Sequence, residues 1–216
     1  MKVKGAFIFL LAACPILCTG QGVAAAQEGI SLPDPRVNGG KPLMEALSQR
    51  RSLRSFDSRS LPDEVLSNLL WAAFGINRPD TGRRTAPSAS NRQEIDIYVA
   101  TAGGVFVYDA KNNRLDTVTG EDIREFTGRQ NFVRRAPVVL VYVADYRRMK
   151  GEDRQKEFYS AADTGFISQN VYLFCASEGL ATVVIGLVDK GELAKKLGLS
   201  KEQKVILSQP VGYPAQ

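Results

Sequence analysis

Apolar residues recur along this chain with two spacings, and the changes between them mark its elements. Leu43, Ala46 and Leu47 fall three and four apart, the stripe of a short helix. A clearer helix follows, with Val65, Leu66, Leu69, Leu70 and Ala73 on one face. Ser60 is placed to cap it, Asp63 stands three residues later, and Gly75 is a stop. Residues 77–91 are polar and read as a long loop of the kind that often carries function. The spacing then drops to two. Ile95, Ile97 and Val99 alternate with Asp96 and Tyr98 as a strand, and Gly103-Gly104 turns it into a second strand at 105–108. A short third strand is predicted at 115–118 and a short helix from about Thr119 to Phe126. Residues 128–135 are polar and basic, a candidate mobile cover.

The uninterrupted apolar run at 138–143 is the best candidate for a central strand. Residues 152–178 are predicted mostly helical, with 166–176 apolar nearly all round, a helix to be buried in a core or between subunits. Residues 182–188 read as a strand, and Asp189 with Glu192 as a capping box for a helix ending at Gly198. A last strand is expected at 205–207. Helices at both ends around several strands, with one hairpin, indicate an α+β fold rather than a regular βαβ series.

Composition narrows the chemistry. The 216 residues contain no histidine, which removes the commonest general base and metal ligand and excludes a Ser-His-Asp or histidine-zinc site. The formal charge of +5 is mild and its basic residues are interspersed with acids, so no nucleic-acid-binding stripe is present. No G-x-G-x-x-G follows a strand, leaving a Rossmann nucleotide site unsupported. Lys2 and Lys4, an uncharged run at 6–13 and Ala24-Ala25-Ala26 have the pattern of a secretion signal over residues 1–26, so a periplasmic or secreted product is expected. The run is too short to span a membrane. Leu11-Ala12-Ala13-Cys14 resembles a lipobox, whose alternative outcome is a lipid anchor at Cys14. Residues 27–41 read as an extended arm and 42–216 as a single domain. Cys14 and Cys18 leave with the signal, and Cys175 sits among apolar residues as a buried structural thiol.

The densest chemistry is in residues 50–56, with Arg50, Arg51 and Arg54 beside Ser52 and Ser55. Arginine forks match phosphate oxygens, so the segment suits a phosphate cradle; the alternative is a solvated basic helix end. In its order, R-R-S-x-R-x-F resembles the phosphate motif of the FMN-dependent nitroreductase family. Ala86-Pro87-Ser88-Ala89-Ser90-Asn91-Arg92-Gln93 is similar to that family's P-S-A-x-N-x-Q loop. Gln169-Asn170-Val171-Tyr172-Leu173, Glu178-Gly179-Leu180, Val184-Ile185-Gly186-Leu187 and Pro210-Val211-Gly212-Tyr213-Pro214 resemble its later motifs, so the resemblance spans about residues 43 to 214. Gly104-Val105-Phe106-Val107-Tyr108-Asp109 followed by Arg114-Leu115 is similar to the SagB-type dehydrogenase branch.

The resemblance implies a mostly antiparallel sheet flanked by helices, a buried helix at a homodimer interface and FMN at the subunit seam. It implies Arg50 and Arg54 at the phosphate, Arg51 toward the ribityl chain or ring edge, and Ser52 on the phosphate or ribityl region. Ser88, Asn91 and Gln93 would lie at the cofactor and dimer seam. Ile185, Gly186 and Leu187 would form a wall over the flavin. Gln169 and its neighbour Asn170 either tie helix to helix or face the flavin. The implied activity is transfer of hydride or two electrons from a reduced donor, NAD(P)H being one candidate, to a nitroaromatic or quinone-like small molecule. No protein acid or base is named as catalytic. Because the chain carries little after Gly212, Arg83 or Arg84 is a further candidate for the phosphate. The alternative is a flavin- or ligand-binding protein of the same fold without turnover.

Overall fold

The apolar run at 138–143 lies in the middle of a sheet in the computed structural model, which describes Met1 and residues 29–215. The elements are β1 (Ile30–Ser31), α1 (Leu43–Gln49), α2 (Asp63–Phe74), β2 (Ile76–Arg78), β3 (Arg83–Arg84), β4 (Ile95–Thr101), β5 (Gly104–Asp109), β6 (Arg114–Thr119), β7 (Val138–Asp145), α3 (Asp153–Glu178), β8 (Ala181–Thr182), α4 (Lys190–Lys196) and β9 (Gln203–Gly212). Among the described residues, seven strands form one sheet in the order β1-β6-β5-β4-β7-β9-β8. Every neighbouring pair is antiparallel. All eight residues of β7 are buried, as a strand covered on both faces requires.

Period-two alternation sorts the strands between two cores. Ile95, Ile97, Val99, Leu140, Tyr142 and Ala144 face α2 and α3, meeting Leu69, Leu70, Ile167 and Val171. Tyr98, Ala100, Val139, Val141 and Val143 face the other way, against Leu193, Leu197, Val183 and Ile185. Leu69 and Leu70 are fully buried, and each contributes roughly 1.5–3 kcal/mol by leaving water. Cys175 is a free buried thiol, and burial pushes its pKa up.

Several expectations are corrected. Pro62, not Ser60, precedes α2, and no side chain caps it; Asp63 and Glu64 complement the dipole there instead. The polar stretch at 77–91 contains the β2–β3 hairpin, turned through Gly82 at φ 62°. Residues 131–135 form a short 3-10 turn with Val133 buried, so the expected cover is anchored to the core. Of the expected 182–188 strand only Thr182, at the end of β8, is regular, followed by a single bridge from Ile185 to Ser208. Between them the Val184 N–H donates to the Tyr172 hydroxyl at 2.9 Å, a side-chain bond in place of a ladder bond. The last strand runs well past Leu207, because Ser208 and Gln209 are buried with partners: the Tyr142 hydroxyl donates to Gln209 Oε1 at 2.6 Å.

Apolar stripes on two helices are only partly used. In α1, Ala46 alone is buried, while Leu43, Met44 and Leu47 are exposed. In α3, Ile167, Val171 and Cys175 are buried but Phe166 is 49% exposed, so the segment at 166–176 is covered on one side and not all round. The arm contributes β1, paired with β6, and the buried Leu32. Apart from Met1, the expected secretion segment at 1–26, with Cys14, lies outside the described residues. Among the described residues no helix is long and apolar enough to cross a membrane.

Candidate functional site

The site begins where α1 ends. Arg50 leaves the helical conformation at φ −57°, ψ 123°, and residues 51–55 form no regular element before the bridge at Phe56. Three backbone hydrogen bonds pin that segment: Leu53 N–H to Thr182 O at 3.0 Å, and Asp57 N–H to Tyr213 O at 2.9 Å with Ala215 N–H to Ser55 O at 3.2 Å, the last two forming the bridge between Phe56 and Pro214. Phe56 is buried and packs against Phe132, which leaves the arginines outward. Tyr172 of α3 lies beneath them. Its hydroxyl meets Ser52 Oγ at 2.9 Å and accepts from Val184 N–H at 2.9 Å, and the Arg50 guanidinium lies 5.3 Å from its ring centre. One tyrosine thus ties the arginine segment to the residues just before Ile185, Gly186 and Leu187.

These elements enclose a cleft of 660 Å³ whose lining includes Lys41, Arg50, Arg51, Leu53, Tyr172 and Pro214. No aspartate or glutamate lines it. Arg50, Arg51 and Arg54 make no ion pair among the described residues, whereas Lys41 faces Glu45 at 3.8 Å. Arg54 is exposed and outside the lining. Gln169 is exposed one helical turn before Tyr172, on the same face of α3. Asn170 turns inward and donates to Ala73 O at 3.4 Å, tying α3 to α2. Ile185 is buried in its bridge; Gly186 and Leu187 are exposed. A Cβ on Gly186 would meet only Leu207 Cδ2, at 3.7 Å, so the chain's own packing does not demand glycine there.

The loop at residues 88–93 is built differently. Ser90, Asn91 and Gln93 have φ of 53°, 53° and 50°, the left-handed region that non-glycine residues enter at a cost. Ser88 Oγ accepts from Gln93 N–H at 2.9 Å. The Gln93 side chain accepts from Arg84 Nε at 2.9 Å and donates to Gly82 O at 3.0 Å, so its amide is occupied within the chain. Arg84 also donates to Phe74 O at 2.8 Å; burial lowers its pKa, and Tyr108 and Asp96 oppose that. Asn91 is exposed. Ala89 N–H donates to Asp163 Oδ2 at 2.8 Å. Asp163 lies nine residues before Tyr172 on α3, about 14 Å along its axis at 1.5 Å per residue.

The structure therefore gathers Arg50 and Arg51 at one cleft, ties Ser52 and the Ile185 segment to it through Tyr172, and sets Ser88, Asn91 and Gln93 apart from it within one chain. Arg84, a candidate for phosphate, instead holds Gln93. Sequence reasoning missed Tyr172, Lys41 and Asp163 as site residues; the only signal for Tyr172 was a hydroxyl on an otherwise apolar helix face.

The comparisons agree with this geometry. The nitroreductase family profile matches residues 47–213. A Methanocaldococcus jannaschii protein provisionally named a nitroreductase is 33% identical over 181 residues, 79% of this chain and 90% of that protein. An NADPH-flavin oxidoreductase of Vibrio harveyi is 26% identical over 182 residues, 80% of this chain and 66% of that protein. A crystal structure from Ralstonia eutropha JMP134, provisionally described as a nitroreductase, superposes with a TM-score of 0.84 at 42% identity, covering 90% of this chain and 93% of that one. With its antiparallel sheet, its flanking helices and a family match over most of its length, this chain belongs to the nitroreductase family.

Proposed function

We propose that this chain is a flavin-dependent oxidoreductase that binds FMN in the cleft at Arg50 and Arg51. The observation that carries the reading is a cleft lined by three cationic side chains and no carboxylate, in a chain of a family that includes flavin oxidoreductases. Arg50 and Arg51 supply charge-assisted donors to a phosphate, Ser52 is oriented by Tyr172, and Arg54, outside the lining, would have to turn toward the bound phosphate to add a further donor. Gly186 and Leu187 leave an exposed backbone face where a flat ring fits without a side chain intruding. When bound, flavin supplies two-electron transfer between a reduced donor such as NAD(P)H and an acceptor such as a nitroaromatic or quinone. The protein's task is to bind, orient and screen from water.

The assembly proposed is a homodimer. Exposed Leu43, Met44, Leu47 and Phe166 form apolar surface on α1 and α3, and a second copy covering them would bring its own Asn91 or Gln169 to the cleft. The hairpin phrase at 104–109 supports a place near the SagB-type dehydrogenase branch. Cleavage after Ala26 and release to the periplasm or exterior complete the proposal, and intact mass of the natively expressed protein checks it. The experiment for the function is anaerobic stopped-flow of the purified protein. Bleaching of the flavin band by NADPH or NADH, and its return with a nitroaromatic or quinone, is expected. A yellow protein inert in both half-reactions would overturn turnover and leave a binding module.

A further inference from the structure

The buried pair beneath the 88–93 loop is not used by any step above. Glu94, just after the loop, has no solvent exposure, and neither of its carboxyl oxygens meets a donor among the described residues. What it meets is Asp163 of α3, itself 2% exposed. Asp163 also accepts from Ala89 N–H, at the other end of the loop. Both ends of a segment with three left-handed residues therefore converge on two buried carboxyls. Burial and the neighbouring Asp163 carboxyl both favour the neutral, protonated form of Glu94.

The groups facing Glu94 are few. Asp163 comes from α3, and Arg148 from the turn after β7. Arg148 is already engaged: it donates to Gln93 O at 2.9 Å and to Asp96 at 2.6 Å, and lies 3.6 Å from Asp145. Its positive charge offsets only part of the burial.

We propose that Glu94, protonated, and Asp163, its acceptor, are positioning residues that hold the 88–93 loop in its strained form and release it when the Glu94 proton is lost. The clamp concerns the loop itself; its bearing on electron transfer rests on the flavin reading above, in which this loop contacts the cofactor. Protonated Glu94 donates to Asp163, and Asp163 accepts from Ala89, so a single chain of bonds closes both loop ends. On deprotonation the proton goes to solvent, two buried negative charges face each other, and the strained loop opens to hydrate them.

The sign follows from linkage. Burial, with Asp163 adding to it, raises the Glu94 pKa from 4.5 to about 7. The clamp is complete below the value of the opened, solvated carboxyl and weakens as pH rises toward the closed-state value, with no further loss above it. Hydrogen exchange of the 88–94 amides in the purified flavin-loaded protein, corrected for intrinsic exchange, should rise about tenfold per pH unit between pH 5 and 7 and then level. Glu94→Gln keeps a donor toward Asp163 and has no proton to lose, so its protection should stay flat and high to pH 8. Asp163→Asn keeps an acceptor for Ala89 and removes the opposing charge, so its levelling point should move to lower pH; this variant carries the test if Glu94→Gln does not fold. Flat protection in the unsubstituted protein, an unchanged slope in Glu94→Gln, or an unmoved levelling point in Asp163→Asn would each overturn the clamp. Flavin occupancy read on the same samples separates the two claims. A pH-dependent loop with constant occupancy keeps the clamp and removes the loop from the flavin; a flat loop with falling occupancy removes the clamp alone.

Discussion

Replacing Tyr172 by Phe removes one oxygen and leaves the ring, so it isolates the hydroxyl that joins three segments. That oxygen meets Ser52 Oγ at 2.9 Å and accepts Val184 N–H at 2.9 Å. A neutral hydrogen bond contributes about 0.5–1.5 kcal/mol net, so two contribute about 1–3 kcal/mol. Ser52, Tyr172 and Val184 are all half-buried, and water replaces part of what is lost, which places the expected cost at about 1–2 kcal/mol. In urea unfolding the midpoint should fall with an unchanged slope, because the surface exposed on unfolding is the same. The Arg50 contact with the ring survives, so any loss of flavin affinity, expected at about tenfold or less, reports the position of Ser52 and the Val184 strand end. A double-mutant cycle with Ser52→Ala should show coupling of about 0.5–1 kcal/mol. Wild-type midpoint and flavin affinity in Tyr172→Phe, or strict additivity with Ser52→Ala, would refute the idea that this hydroxyl organises the cleft.

Three further outcomes are expected. Arg50→Glu should lower flavin affinity at least about tenfold in a titration followed by fluorescence, since it removes charge-assisted bonds and adds repulsion, with stability little changed at this half-buried position. Gly186→Ala should leave the unfolding free energy within about 0.5 kcal/mol, because a Cβ has room in the chain, while flavin affinity falls; a stable variant with full affinity would remove the backbone wall from the account. Cys175 should resist a thiol reagent at pH 8 in the folded protein and react fully in denaturant, as burial both shields the thiol and raises its pKa.

Much of the fold was legible because hydrophobic period reports burial directly. The run at 138–143 is the best candidate for a central strand, and β7 has every residue buried. The helix expected over 152–178 is α3, Asp153–Glu178. What was not legible depends on partners remote in sequence. Ser208 and Gln209 look like a strand end, yet lie within β9 because Tyr142 supplies the amide of Gln209 with a partner. The β-branched stretch after Thr182 promised a ladder, but Tyr172 takes the Val184 N–H. In the site, the arginines stood out because three in a short segment make a poor core. Glu94 and Asp163 did not, since a charge in a sequence carries no mark of burial. Gln93 was named for a ligand-facing role, and the structure places its amide against Arg84 and Gly82.

The most direct measurement is the identity and stoichiometry of what the purified protein carries. Heat release followed by mass determination, with the bound absorbance referred to protein concentration, should give FMN at one molecule per chain, and sedimentation of the same sample should give a dimer. FAD, or absence of a bound flavin together with no FMN uptake by micromolar protein, would contradict the assignment of the Arg50–Tyr172 cleft as an FMN phosphate site.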